Sequence, residues 1–375
     1  MKKSKAAVVH QQGGPFVIED IEVQDPGPGE VLVRIAASGA CHSDWHQVMG
    51  EIPKVWPAVL GHEGAGVVEE LGQGVTRVSP GDSVMLSWFP ACGTCFYCQR
   101  EQHNMCETYR PFLESGTAMD GKSRLYLKGE PLTQFSTHST FAEYAVVPEQ
   151  ACIPLDPEVS MESASLVGCA VMTGVGAAMY TAQIKPGETV AVFGCGGIGL
   201  NILQGAALCG AEMIVAIDTV PGKFESARAF GATHTINAKE DTLQALLDLT
   251  EGRGVDHVLD ATGNPKVQEN AIYPLRRGGA LTLVGVAPHD AKVTFDTFRM
   301  HHQETRVLGC FYGTGNCQRD FTRIIQLYKS GRLKLDELIS RQSPLSEINE
   351  VYADMLAGKI NRGVLTFGEI KPCTF

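Results

Sequence analysis

The stretch from residue 190 to 208 constrains the fold more than any other part of the chain. A short apolar run, Val190–Phe193, leads into Gly194-Cys195-Gly196-Gly197-Ile198-Gly199, and a helix-compatible stretch continues to Leu208. Taken alone, G-x-G-x-x-G is a weak signal in a chain with 41 glycines. Set between a strand and a helix it has a physical reading. The glycines let the backbone turn sharply and approach a pyrophosphate, which sits at the positive end of the helix. Asp218 follows the next strand candidate, Met213–Ile217, 24 residues after Gly194. A carboxylate there accepts hydrogen bonds from an adenosine ribose and repels a 2′-phosphate, so NAD is expected over NADP. The alternative is a solvated Asp that opens a turn.

The same rhythm continues downstream. Lys223–Phe230 reads as a helix, and Val255–Leu259 and Ala280–Val284 read as strands separated by helix-compatible segments. Strands alternating with helices predict a parallel sheet covered on both faces, here over residues 171–311. The first 170 residues differ. Ala6–Val9, Val31–Ala36, Gly64–Glu70, Ser83–Leu86 and Ala142–Val147 are short β-branched runs, punctuated by Pro26-Gly27-Pro28-Gly29 and Pro80-Gly81-Asp82. They predict a mainly antiparallel β-region with long loops, of which 107–140 is one. A length of 375 residues suits two domains.

A hydrophobic content of 44% against 19% charged residues can sustain a large core. A net charge of −11 argues against nonspecific binding to nucleic acid or anionic lipid, which needs a concentrated basic face. The apolar run Ala6–Val9 is too short for a signal-peptide core, and no stretch approaches the roughly 20 apolar residues that span a bilayer. A cytoplasmic protein is expected. In a reducing compartment, close cysteine spacing suggests metal binding before disulfides.

Cys92, Cys95, Cys98 and Cys106 form C-x2-C-x2-C-x7-C. Four thiolates so close together can enclose one tetrahedral Zn²⁺, a closed and therefore structural site. An iron–sulfur cluster is the alternative, but the last spacing exceeds the bacterial ferredoxin run and no proline follows. A nucleic-acid zinc ribbon would want basic and aromatic neighbours. Phe96, Tyr97 and Arg100 are present, but Glu101 and Glu107 offset them.

Three further segments carry candidate ligands: Cys41-His42-Ser43-Asp44-Trp45-His46, Gly61-His62-Glu63 and Gly168-Cys169. Spacing alone does not assemble them, since a buried Cys is usually a small hydrophobe and a single His usually a structural residue. Together with the four-cysteine loop, LVGCAVMTGVG at 166–176, GCGGIG at 194–199 and INRGVLTF at 360–367, they give a chain that resembles the zinc-containing medium-chain alcohol dehydrogenases almost from end to end.

The resemblance implies a Rossmann-type doubly wound domain at 171–311 and a mainly β, GroES-like catalytic domain formed by 1–170 and 312–375. It implies that Cys41, His62 and Cys169 bind a catalytic Zn²⁺ with an open fourth position, an arrangement for which alcohol dehydrogenase is itself a standard example. Asp44 would orient the ligand histidine, and Glu63 would lie near the metal. An alcohol at the open position would release its proton through Ser43 and then His46, and hydride would pass to the nicotinamide. The plainer alternatives are a helix-capping Ser43 and a merely exposed His46.

The cofactor set implied by the resemblance comprises His42, Thr173, the loop residues Gly194, Gly196, Gly197, Ile198 and Gly199, Asp218, Lys223, Val286 and Arg362. His42 stands where many relatives carry an arginine against the pyrophosphate. Trp88 matches an aromatic that lines the substrate pocket. Arg110 resembles the arginine that binds the thiol's carboxylate in glutathione- or mycothiol-dependent formaldehyde dehydrogenases. The expected activity is interconversion of primary alcohols, aromatic ones included, and aldehydes with NAD(H), with one catalytic and one structural zinc per chain. Oxidation of an S-(hydroxymethyl)thiol is the alternative. A long loop between Cys106 and Cys169, as in dimeric members of the family, favours a homodimer and leaves a tetramer open.

Overall fold

The structure, a computed structural model, describes residues 1–368, and the chain divides into two compact units. One comprises Met1–Cys169 and the segment from Asn316 onward, and the other Ala170–Gly315. Residues 369–375, the end of the expected catalytic domain, lie outside the described part.

In the Ala170–Gly315 unit, six strands form one parallel sheet. Their order is His234–Asn237, Met213–Asp218, Thr189–Phe193, Val255–Asp260, Leu275–Leu283 and Arg306–Gly309. Order reverses on either side of Thr189–Phe193, so the crevice beyond its carboxyl end is the binding position of such a sheet. The central strands bury apolar residues, among them Ala191, Val215, Ile217, Val258 and Leu281, in the core of this unit. Gly194 adopts φ +91° and the helix Gly197–Leu208 starts three residues later. A Cβ on Gly199 would lie 1.8 Å from the carbonyl oxygen of Gly194, so only glycine permits this turn. The helix expected at Lys223–Phe230 forms one residue shorter at each end. A tight turn at Pro221–Lys223 precedes the α-helix Phe224–Ala229, because Pro221-Gly222 sets the chain direction first.

The other unit is mainly β. Its larger sheet is built on Glu30–Ala40, a strand buried along nearly its whole length because it has partners on both edges. Glu63–Leu71 pairs along one side. On the other, Tyr144–Pro148 takes the first half and Arg362–Thr366 the second. The smaller sheet orders Ala58–Val59, Lys2–Val9, Val17–Val23, Leu125–Leu127 and Glu130–Pro131. Phe141, Leu60, Leu132 and Tyr352 belong to its core.

Residues 107–140 are not a bare loop, contrary to the sequence-based expectation. They contain the helix Arg110–Ser115, and Leu125–Leu127 extends the smaller sheet beside Val17–Val23. The apolar residues that anchor this segment, such as Leu125 and Leu132, are too widely spaced to give a periodic signal. No single helix among the described residues is long and apolar enough to cross a membrane.

Candidate active site

Strand register assembles the first cluster. Gly39 stands opposite Glu63 on one side of Glu30–Ala40, while Ala40 stands opposite Gly363 on the other. Cys41, Glu63 and Arg362 therefore meet at one strand end. A Cβ on Gly39 would come within 2.0 Å of the Glu63 carboxylate, so glycine makes room for the buried ion pair between Glu63 and Arg362. Cys169 arrives from the short turn Leu166–Gly168. Cys41, His62, Glu63 and Cys169 are all buried, and each offers a donor atom within 4.8 Å of the others.

Asp44 holds His62 from behind. Its Oδ1 lies 3.0 Å from His62 Nδ1 and accepts the Gly61 N–H at 2.9 Å, while its Oδ2 accepts the Tyr352 hydroxyl at 3.2 Å. With Nδ1 bound to a carboxylate, Nε2 is the nitrogen that would face a metal once its proton is lost, and it is buried without a hydrogen-bond partner. Two thiols and one orphaned imidazole nitrogen form a donor set suited to Zn²⁺ rather than to Mg²⁺ or Ca²⁺. A hydrogen bond from Cys169 holds the Cys41 thiol well below its usual range, against the cost of burial and with help from His62. The same contact, reinforced by burial, pushes Cys169 up. Burial disfavours the His62 imidazolium, yet Asp44 and Cys41 together raise it well above the usual value. The set thus retains protons that a dication would displace.

Aromatic rings frame this cluster. Phe135 stacks on the His62 imidazole with centroids 4.1 Å apart, and Trp88 stands edge-on to both rings at 6.2 Å. The Ser136 hydroxyl donates to the Trp88 carbonyl at 3.0 Å. Lys54 donates to the carbonyls of Gln134 and Phe135, the latter at 3.2 Å. Burial pushes its ammonium down to about 7, opposed by the Asp44 charge. Ser43 and His46 lie on the helix His42–Val48, three residues apart and hence on one face. Ser43 Oγ is 3.6 Å from Cys41 Sγ, and His46 Nδ1 meets the Glu51 carboxylate. His42 opens this helix and is exposed. Arg110 is more than half exposed, 3.6 Å from Glu114. Phe135, Tyr352, Glu51 and Lys54 were not singled out from the sequence. None belongs to a compact motif, and their proximity to the site arises only from folding.

The second cluster gathers Cys92, Cys95, Cys98 and Cys106. The Thr94 and Cys95 N–H groups point at Cys92 Sγ from 3.4 and 3.3 Å, and the Cys92 N–H points at Cys106 Sγ from 3.4 Å. Burial opposes ionisation of Cys92, but hydrogen bonds from Thr108, Thr94 and Cys95 bring its thiol down to about 5. All cysteines among the described residues are free thiols.

In the other unit, Asp218 is tied to the glycine loop. Its carboxylate accepts the N–H of Cys195 at 2.7 Å and of Val220 at 2.9 Å, and Lys223 Nζ stands 3.4 Å away. Gly196 caps the helix that begins at Gly197 and Ile198. Thr173 is buried on the helix Ala170–Gly176, and Val286 is exposed.

Residues 27–157 match the alcohol dehydrogenase GroES-like domain family, and residues 197–330 match the zinc-binding dehydrogenase family. An NDMA-dependent alcohol dehydrogenase of Amycolatopsis methanolica is 39% identical over 366 residues, covering 97% of this chain and 98% of the relative. A class-3 alcohol dehydrogenase of Dictyostelium discoideum is 39% identical over 370 residues, covering 96% and 97%. Among solved structures, benzyl alcohol dehydrogenase from Acinetobacter calcoaceticus superposes with a TM-score of 0.93 at 30% identity, over 98% of this chain and all of that one.

Proposed function

The chain belongs to the zinc-containing medium-chain alcohol dehydrogenase family, and from that premise we propose that it interconverts primary alcohols and aldehydes with NAD(H) as redox partner. The observation that carries this reading is the buried set Cys41, His62 and Cys169, with Asp44 fixing the imidazole. These three residues would hold a zinc ion, which when bound would supply Lewis acidity toward the substrate oxygen, and NAD(H) would supply the hydride acceptor or donor. The rest of the work falls to the chain. Asp44 fixes the tautomer of His62, and Glu63 neutralises Arg362 beside the thiols. Ser43 takes the proton leaving the substrate hydroxyl, and His46 delivers it to solvent. Trp88 and Phe135 give the pocket an aromatic wall that keeps water out and favours flat substrates. The loop Gly194–Gly199 would receive the pyrophosphate, with Asp218 and Lys223 toward the adenosine ribose and Thr173 and Val286 toward the nicotinamide; the cofactor roles of His42 and Arg362 rest on the family resemblance. Cys92, Cys95, Cys98 and Cys106 hold a second, structural zinc.

The test is metal content together with turnover of benzyl alcohol, a linear alcohol, and formaldehyde with and without thiol. Two zinc ions per chain and NAD-linked oxidation of free alcohols support the reading. A metal-free active enzyme, or no alcohol turnover with the zinc-replete protein, overturns it. Turnover of formaldehyde only with added thiol would instead support the S-(hydroxymethyl)thiol reading, which the half-exposed guanidinium of Arg110 keeps in play. The NDMA-dependent relative motivates one added arm, turnover with an artificial acceptor and no free NAD, which would indicate a cofactor retained between cycles. We further propose a homodimer, since Arg306–Gly309 is a sheet edge that a second copy can cover. Light scattering checks the assembly.

A further inference from the structure

An imidazole that receives a proton at one ring nitrogen must arrive with that nitrogen bare, so the other must carry the hydrogen. For His46, the chain itself supplies the group that enforces this. The helix His42–Val48 ends at Met49, and the backbone folds back so that the N–H groups of Glu51 and Ile52 both donate to the His46 carbonyl, at 2.9 and 3.1 Å. The Gln12 amide donates to the Met49 carbonyl at 3.0 Å and braces the return from outside. This tight turn carries the Glu51 carboxylate onto His46 Nδ1. The His46 side chain is 21% exposed and that of Glu51 41%, so the pair stands where the interior meets water. The His42 ring, 6.3 Å away, is the neighbouring imidazole.

We propose that Glu51 is a positioning residue for the proton path: its carboxylate accepts the Nδ1–H of His46, fixes the ring's tautomer and orientation, and leaves Nε2 to receive the proton from the Ser43 side. The imidazolium formed by that transfer stands where the interior meets water and gives its extra proton to water. The logic is that of a carboxylate orienting a catalytic histidine in a hydrolase triad, transferred here to a relay. The assignment rests on the reading of Ser43 and His46 as that relay. A hydrogen bond this close to water adds little to stability, so removing it leaves the fold intact.

The experiment compares Glu51→Met, Glu51→Gln and His46→Gln with the parent zinc-replete enzyme, using benzyl alcohol and NAD. Glu51→Met is expected to lower single-turnover oxidation about tenfold, to leave KM within about twofold, and to raise the solvent deuterium isotope effect. Glu51→Gln, which keeps an acceptor without the charge, should recover part of the rate, and added free imidazole should rescue Glu51→Met. A Glu51→Met enzyme with unchanged rate and isotope effect, beside an impaired His46→Gln enzyme, overturns the Glu51 assignment alone. An unimpaired His46→Gln enzyme overturns the relay and the assignment with it.

Discussion

Asp44 and His62 lie 3.0 Å apart, carboxylate to ring nitrogen, with both side chains buried. The carboxylate also accepts from Gly61 and Tyr352, so its position is fixed independently of the histidine. Asp44→Asn keeps the shape but replaces one acceptor oxygen with a donor. Losing such support to a ligand histidine costs roughly 10- to 100-fold in metal affinity. We expect that loss at the Cys41–His62–Cys169 site, read by competition with a chromophoric chelator, with the four-cysteine site unaffected. Equal weakening of both sites would show that the variant acts on the fold instead.

Zinc binding at the same cluster should release protons. Cys169 and His62 both hold their protons above the usual range, and both must lose them to become ligands. As pH falls, protons compete harder, so affinity should decline by more than about tenfold per pH unit below neutrality. A pH indicator in weak buffer measures the release as zinc is added back to chelator-stripped protein. Affinity that is flat from pH 6 to 8 would contradict this.

Lys54 makes a separate prediction, about stability. Burial brings its ammonium down to about 7 in the folded chain, whereas an unfolded lysine titrates at about 10.4. Between those values the unfolded chain binds more protons, so stability rises with pH across that window. Below pH 7 the full penalty of burying the charge is present. Lys54→Met removes the penalty and also the bonds to the carbonyls of Gln134 and Phe135, each worth about 1 kcal/mol. The variant should gain on the parent as pH drops from 10 to 6, by a few kcal/mol at most at roughly 1.4 kcal/mol per unit. Urea midpoints at pH 6, 8 and 10 measure it, and parallel curves for the two proteins would sink the idea.

Much of this architecture is legible in the sequence, and the reason differs from part to part. The strand–glycine–helix unit at 190–208 announces itself because each local signal serves one turn, and the absence of a Cβ at Gly199 is a steric necessity. The four cysteines are legible because a loop of 15 residues closes on itself. The Cys41–His62–Cys169 set is not, because strand register brings it together across more than a hundred residues; only resemblance to a family pointed to it. Phe135 and Tyr352 gave no signal at all. Each is an aromatic residue in an unremarkable context, and its meaning lies in the ring or carboxylate it meets after folding.

The proposed preference for NAD over NADP rests on Asp218. Its two oxygens already accept the N–H groups of Cys195 and Val220, so the carboxylate is rigidly placed at the end of its strand. A ribose hydroxyl can add a hydrogen bond to such a group, but a 2′-phosphate meets its negative charge. Lys223, 3.4 Å from Asp218, partly offsets that repulsion, so discrimination should be firm without being absolute. Asp218→Asn retains an acceptor for the loop while removing the charge, and should cut the preference for NAD over NADP by about tenfold or more, a change of roughly 1.4 kcal/mol. Steady-state kcat/KM with each cofactor measures it. A parent enzyme that uses NADP better than NAD would overturn the role given to Asp218. An unchanged ratio in Asp218→Asn would place the discrimination in Lys223 or elsewhere in the loop.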